Sequence, residues 1–186
     1  WIKYVEHEFP SRLAHLSSCR SPHMMLGALA KTYWARKKGV DPKDMYVVSV
    51  MPCTAKKFEI TRPELFVDGR PAVDAVLTTR ELGRMIREAG IDFASLEGGA
   101  FDDPLGFSTG AADIFGTTGG VMEAALRTVY EVVTGREIPF PRLDVTPVRG
   151  LSQVKEAALT LEDVKPEYKE LEGFTVKVAV TSGLKG

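Results

Sequence analysis

The sequence predicts an α/β fold: a layered arrangement with a mostly parallel β-sheet flanked by helices. Three observations carry that expectation. Compact apolar runs rich in β-branched residues, at 45–50 and 73–77, have the pattern of strands buried on both faces of a parallel sheet. Segments with helical spacing and clear start and stop signals lie between and after them, and the connections are of crossover length.

In chain order, Trp1 leads into Ile2, Tyr4, Val5 and Phe9, apolar positions of helical or buried character. Ser21-Pro22 starts the first long helix, with Ser as N-cap and Pro at the first helical position. Met24, Met25, Ala28, Leu29, Thr32 and Tyr33 continue it on helical spacing until Gly39. Asp41-Pro42 turns the chain into the first strand, 45–50. After the second run, 73–77, Thr78 and Glu81 are spaced as a capping box, which predicts a helix from about 79 to 89 with Gly90 at its end. Residues 94–110, rich in Gly, Asp, Pro and Ser, read as a long surface loop. Thr117-Thr118-Gly119-Gly120 then opens a helix whose stripe is Val121, Met122, Ala125, Leu126, Val129 and Val133, ended by Gly135. A strand is expected at 143–148, a short helix within 151–161 and a last strand at 174–181. No internal repeat is visible.

Composition excludes several classes of function. Of 186 residues, 44% are apolar and 26% charged, which argues against disorder. The formal charge of −1, from 24 basic and 25 acidic residues, offers no field to hold a polyanion, so neither nucleic acid nor an anionic membrane is an expected partner. The longest apolar runs fall far short of the roughly 20 residues that span a bilayer. Two cysteines, Cys19 and Cys53, cannot make a disulfide scaffold. The start at Trp1 and the strand-into-turn finish at 178–183 both read as cut edges, so an internal segment of a longer protein is expected, and a missing signal peptide carries no information.

Ligands of parallel sheets gather beyond the carboxyl ends of the strands, and two stretches fit that rule. The first is Met51-Pro52-Cys53-Thr54-Ala55-Lys56-Lys57-Phe58-Glu59, directly after a strand. A thiol with two lysines close in sequence is easier to ionise than a core cysteine, and thiolate is the form that binds iron or zinc. Against this, a lone cysteine is more often a small hydrophobe. The second stretch is Phe115-Gly116-Thr117-Thr118-Gly119-Gly120-Val121, where glycines before a helix allow close backbone approach to a ligand, or simply a tight corner with close helix packing. It matches neither the phosphate loop nor the dinucleotide fingerprint. His7, His15 and His23 lack partners at zinc spacing. Cys19, in a helix-capping turn, reads as structural.

Together these segments resemble the catalytic domain of the [FeFe]-hydrogenases. Residues 51–59 are similar to the family's Met-Pro-Cys-Thr-x-Lys-x-x-Glu signature. Phe115-Gly116-Thr117-Thr118-Gly119-Gly120-Val121-Met122-Glu123-Ala124-Ala125-Leu126-Arg127 resembles the loop and helix packed against the active cluster. Leu16-Ser17-Ser18-Cys19-Arg20-Ser21-Pro22 and Asp74-Ala75-Val76-Leu77-Thr78-Thr79-Arg80-Glu81-Leu82 also fit the family. The resemblance covers essentially the whole chain. It implies that residues 1–186 are the central part of the two-lobed catalytic domain, truncated at both ends, with signatures that bear the other cysteines lying outside.

The resemblance also implies the cofactors: a [4Fe–4S] cluster held by four cysteines and bridged to a diiron unit bearing CO, cyanide and a dithiolate, with accessory iron–sulfur clusters elsewhere in the parent chain. By position, Cys53 would be a cluster ligand, and Lys56 the ammonium that hydrogen-bonds a cyanide of the distal iron. Glu59 would orient the lysine-bearing loop. Pro22, His23, Met51, Phe115, Gly116 and Val121 would line the diiron pocket, although His23 stands where the family carries glutamine. Ser17 would be a hydroxyl on the proton path. Since iron–sulfur clusters need their full thiolate set, the segment alone is expected to be inactive.

Reversible interconversion of dihydrogen with protons and electrons is thus the expected activity of the parent. The expected partners are ferredoxin or another redox subunit, maturation proteins that deliver the diiron unit, and the remainder of the polypeptide. The cytoplasm is expected over the periplasm. The rival readings are a non-catalytic iron–sulfur assembly homologue of the same fold and a sensory hydrogenase-like protein. Met51, Thr54, Lys56 and the Thr-Gly-Gly-Val-Met run at 118–122 favour a diiron site over the assembly reading.

Overall fold

The computed structural model describes residues 1–106, 110–139, 146–148, 151–181 and 183. Ile2–Gly106 forms one compact unit and Phe107–Gly186, with Trp1, the other. Among the described residues no helix is long and apolar enough to cross a membrane.

In the first unit, α1 (Ile2–Glu8) is followed by a 3-10 turn and then by α2 (Pro22–Leu29). Ser21 is the N-cap in extended conformation and Pro22 the first helical residue, as the sequence predicts. The predicted single helix to Gly39 is interrupted by a π-turn at Ala30–Trp34 before α3 (Ala35–Lys38). Two side chains act on that stretch. Thr32 donates its hydroxyl to the Ala28 carbonyl at 2.7 Å, and the buried Lys31 reaches across to the Pro71 carbonyl and the Asp74 carboxylate. Gly39 ends the helix at φ +68°, the left-handed cap that suits glycine.

The first strand is shorter than predicted. β1 is Val48–Val50 and pairs in parallel with β2 (Ala75–Leu77) in the register Val48 to Ala75 and Val50 to Leu77. Asp74 starts the ladder: its carboxylate accepts the Val47 N–H at 2.7 Å, while its own N–H donates to the Val47 carbonyl. Val47, Ser49 and Met51 share the inner side of this pair. Val48 and Val50 are 46% and 39% exposed, so the expected burial of the run on both faces is not met within this unit. Period-two alternation places these residues, with a core beneath only one face. That core is Met24, Ala72, Val73 and Val76, closed by Ala28, Val47, Met51, Ile60, Leu65 and Val67.

A turn after β1 leads to α4 (Ala55–Glu59), and β2 leads to α5 (Thr79–Glu88). The predicted capping box is present: Thr78 Oγ1 accepts the Glu81 N–H, and Glu81 accepts the Thr78 N–H at 2.7 Å. Lys57 and the Thr78 N–H together pull the Glu81 carboxyl down to about 2.

The second unit starts with α6 (Ala111–Phe115), absent from the sequence prediction, and α7 (Gly120–Thr134), which ends at the left-handed Gly135 as predicted. Its sheet has the order β3 (Thr146–Val148), β4 (Leu151–Thr160), β5 (Thr175–Thr181) and is antiparallel. Residues 143–145 of the predicted strand lie outside the described residues. The short helix expected within 151–161 is instead β4, paired with β5 from Val154–Thr181 to Thr160–Thr175. Ala157, Leu159 and Leu161 face inward between exposed Ala158, Thr160 and Glu162, a period of two that outweighs the weak helical composition. Leu159 and Leu161 pack with Tyr130 and Val133 of α7 into the core of this unit. The α/β class stands, with the parallel pairing at β1–β2.

Candidate functional site

The first candidate stretch lies where the sheet rule puts it, beyond the carboxyl end of β1. Met51 still donates its N–H to the Leu77 carbonyl at 2.8 Å and packs its side chain on the core. The chain then leaves the sheet, and Cys53 stands on the turn as an exposed free thiol. Its carbonyl accepts the Lys56 N–H at 3.3 Å, which begins α4. Lys57 ties this short helix back to the sheet, donating to the Val76 carbonyl and to Glu81, both at 2.8 Å.

Lys56 projects from the same turn to Glu59, with Nζ 2.7 Å from Oε2. Both lysines that the sequence sets beside the thiol are therefore held by carboxylates. Glu59 Oε2 is also 3.3 Å from His23 Nε2, and His23 Nδ1 lies 3.0 Å from Ser49 Oγ. A connected polar group thus runs from Ser49 on β1 through His23 on α2 to Glu59 and Lys56 on α4. His23 is 6% exposed, and the Lys56 side chain, at 29%, is the outlet of the group. Burial raises the Glu59 carboxyl, but hydrogen bonds from Lys56, Ser21 and His23 outweigh it and hold the group below the usual carboxylate range. The Ser21 hydroxyl is buried without a hydrogen bond of good geometry, though it lies close enough to Glu59 to help lower it.

The other predicted residues are placed as follows. Pro22 is exposed at the start of α2. Ser17 is exposed in the preceding turn, where its Oγ accepts the Cys19 N–H at 3.1 Å; Arg20 pins this turn to the Leu65 and Phe66 carbonyls. Phe115, Gly116 and Val121 belong to the second unit, at the α6–α7 corner. Phe115 is 37% and Val121 52% exposed. The glycines of this corner have a packing reason. Gly119 has φ +79°, and a Cβ on Gly120 would lie 1.8 Å from the Ile114 carbonyl oxygen. Gly116 has neither restriction: its φ is −70° and a Cβ would make ordinary contact. Glycine content here follows from the tight corner and no longer argues by itself for a ligand cradle.

Sequence reasoning missed Ser49 and the His23–Glu59 link. The available signal was a lone hydroxyl inside an apolar strand run, which needs a buried partner.

Chemically, the first stretch offers one free thiol and one oriented ammonium. Among the described residues no group of three or more His, Cys, Asp or Glu side chains could hold a metal ion. The donor set fits a thiolate-bound cluster as one ligand of several, with a cationic donor on the same turn, and does not fit a complete metal site.

The family model for the iron-only hydrogenase large subunit, C-terminal domain, matches residues 1–186. The periplasmic [Fe] hydrogenase large subunit of Nitratidesulfovibrio vulgaris is 52% identical over 185 residues, which is 100% of this chain and 41% of that protein. A solved apo [FeFe]-hydrogenase of Chlamydomonas reinhardtii superposes with a TM-score of 0.79 at 43% identity, covering 100% of this chain and 51% of the other. Cytosolic iron-sulfur assembly component 3 of Bos taurus is 31% identical over 141 residues, 73% of this chain and 30% of that protein. The chain spans about half the length, or less, of each of these proteins.

Proposed function

Because the chain belongs to the iron-only hydrogenase large-subunit family over its whole length, we propose that it is the central part of an [FeFe]-hydrogenase catalytic domain, in a parent protein that interconverts dihydrogen with protons and electrons. The observation that carries this reading is the pairing of a free, exposed Cys53 with a Lys56 ammonium aimed by Glu59 at 2.7 Å, at the end of a parallel strand. An assembly factor with no diiron unit has no use for an oriented ammonium three residues after its cysteine. The greater identity to the Nitratidesulfovibrio enzyme than to the assembly component supports the same choice.

When bound, the diiron unit and its [4Fe–4S] cluster would supply the redox chemistry. Cys53 supplies one of the four thiolates, and the other three come from the remainder of the polypeptide. Lys56 would donate a charge-assisted hydrogen bond to an anionic group of the diiron unit, the cyanide that the family resemblance implies, holding it by charge and direction together. Glu59 keeps that ammonium in place. Pro22 and Met51 would contribute apolar wall on the side of the first unit, and Ser17 would relay protons through a hydroxyl that both donates and accepts. Electrons pass to or from ferredoxin or a partner subunit through accessory clusters in the parent, and maturation proteins deliver the diiron unit.

The test is infrared spectroscopy and metal analysis on the full-length parent. Cys53→Ala should lose the [4Fe–4S] cluster and with it hydrogen evolution. Lys56→Asn should keep the fold and the cluster but lower diiron occupancy and shift a cyanide band. Normal hydrogen evolution in C53A, or wild-type cyanide bands at full occupancy in K56N, would refute the reading.

A further inference from the structure

Two members of the polar group have no hydrogen-bonding role assigned so far: the imidazole of His23, expected only as pocket lining, and the hydroxyl of Ser49. His23 lies in the first turn of α2 with its ring between β1 and α4 and both ring nitrogens within reach of protein partners. Neither nitrogen is left for a foreign group. Glu59, whose carboxyl is held in its ionised form, can only accept, so the nitrogen that faces it, Nε2, must carry the proton. Nδ1 is met by the Ser49 hydroxyl, which can serve it as donor or acceptor. The direction at the carboxylate follows: His23 donates to Glu59, and Lys56 donates to the same Glu59 oxygen.

We propose that His23, steadied by Ser49 with its Nε2–H toward the carboxylate, is a positioning residue that locks Glu59 and through it aims the Lys56 ammonium. This deepens the hydrogenase reading and rests on the role given there to Lys56. A Lys–Glu pair three residues apart on a five-residue helix holds its geometry poorly, since both side chains keep alternative rotamers. His23 reaches Glu59 from a different helix, 36 residues earlier, and that helix is itself fixed to the core by the fully buried Met24. The ring therefore transmits the rigidity of the core to an otherwise adjustable ion pair.

The test uses the full-length parent loaded with its diiron unit, with four variants and K56N as reference. His23→Leu fills similar volume and removes both hydrogen bonds. His23→Gln keeps an amide N–H for Glu59 and a carbonyl for Ser49. Ser49→Ala removes the partner that steadies Nδ1, so the ring is free to turn away from the carboxylate. Ser49→Thr keeps the hydroxyl. Infrared spectra should show H23L shifting the same cyanide band as K56N, in the same direction and by less, at unchanged [4Fe–4S] content. H23Q and S49T should restore the wild-type position, and S49A should fall between. Wild-type cyanide bands in H23L, with K56N shifted, would overturn the positioning role and leave the hydrogenase reading standing. Wild-type bands in K56N would overturn both. Should H23L fail to fold, S49A decides: a band at the wild-type position overturns the proposal, and one displaced toward K56N supports it.

Discussion

Gly27 and Gly83 both lie inside helices, and the same substitution should act on them with opposite sign. A Cβ on Gly27 would sit 2.6 Å from the Ala72 carbonyl oxygen, 2.6 Å from Val73 Cγ2 and 3.1 Å from the Ala72 carbonyl carbon. Val73 can rotate, but the backbone oxygen cannot, because residues 72 and 73 are fully buried core. Gly27→Ala must therefore push α2 away from the 72–73 segment by several tenths of an ångström. Overpacking of this kind costs about 1–3 kcal/mol; with a backbone oxygen as the obstacle the upper part of that range applies. Alanine's better helix propensity returns about 1 kcal/mol, so the net effect is a loss of about 1–2 kcal/mol. Gly83, in α5, has nothing within 4 Å of its added Cβ, and Ala there should stabilise by about 1 kcal/mol. At about 2–4 °C per kcal/mol for a domain of this size, thermal melts of the parent protein should show the two variants displaced in opposite directions from wild type. A G27A melt at or above wild type would refute the packing argument. The substitution also has a functional consequence, since α2 carries His23: lifting it lengthens a His23–Glu59 contact that is already 3.3 Å, so G27A should shift the cyanide bands in the manner of H23L.

The buried Lys31–Asp74 pair should show an order of effects. Asp74→Ala strands an ammonium whose side chain is only 5% exposed and removes the acceptor of the Val47 N–H. Breaking a buried pair costs about 3–5 kcal/mol, reduced here to about 2–3 kcal/mol by the partial exposure of Asp74. Lys31→Met leaves Asp74 bonded to Val47 and able to meet water, so it should cost about half as much in urea unfolding; the reverse order would contradict the assignment. Glu59 has a depressed carboxyl in the folded state, so its contribution is present above the unfolded carboxylate value and disappears as pH falls through the folded one. The stability difference between wild type and Glu59→Gln should accordingly be constant near neutrality and shrink only below about pH 4, as followed by unfolding midpoints against pH. Ser17→Ala in the parent should slow turnover without changing cluster content; unaltered turnover would remove Ser17 from the proton path.

Much of this fold was legible because its signals are local. The Thr78–Glu81 capping box, the Ser21-Pro22 start and the Gly39 and Gly135 stops are each set within four residues, and each is where the pattern puts it. The strand β4 was not legible by composition, because Lys155, Glu156, Ala157 and Ala158 are acceptable helix residues; the partner that decides for a strand, β5, lies some twenty residues away. The π-turn is equally non-local, set beside a lysine drawn to Asp74 across 43 residues. At the site, the thiol of Cys53 with lysines close in sequence could be marked from the residues, whereas the roles expected of Lys56 and Glu59 came from the resemblance to the family signature. The role of His23 could not, since a histidine with no titratable neighbour in sequence gives no sign that a serine 26 residues on and a glutamate 36 residues on will bracket its ring.

That bracketing bears on how the site would recognise an anion. A lysine paired to a glutamate at 2.7 Å carries almost no net charge with its partner, so the pair attracts an anion weakly at long range. What it provides is direction: an ammonium has three donors, one is taken by Glu59, and the remaining two are held on a known side. A free lysine would lose about 2 kcal/mol of rotamer freedom on binding, whereas one already ordered by the fold avoids most of that loss. The negative charge of Glu59 works against the anion, and the hydrogen bond from His23 offsets this by drawing that charge toward the interior. Selection would then rest on placement more than on charge. Lys56→Arg tests that directly: the cation persists, but the planar guanidinium has a different reach and donor geometry, so diiron occupancy in the parent should fall as it does in K56N. If arginine restores full occupancy, charge alone suffices and the bracket of Ser49, His23 and Glu59 is not what the site depends on.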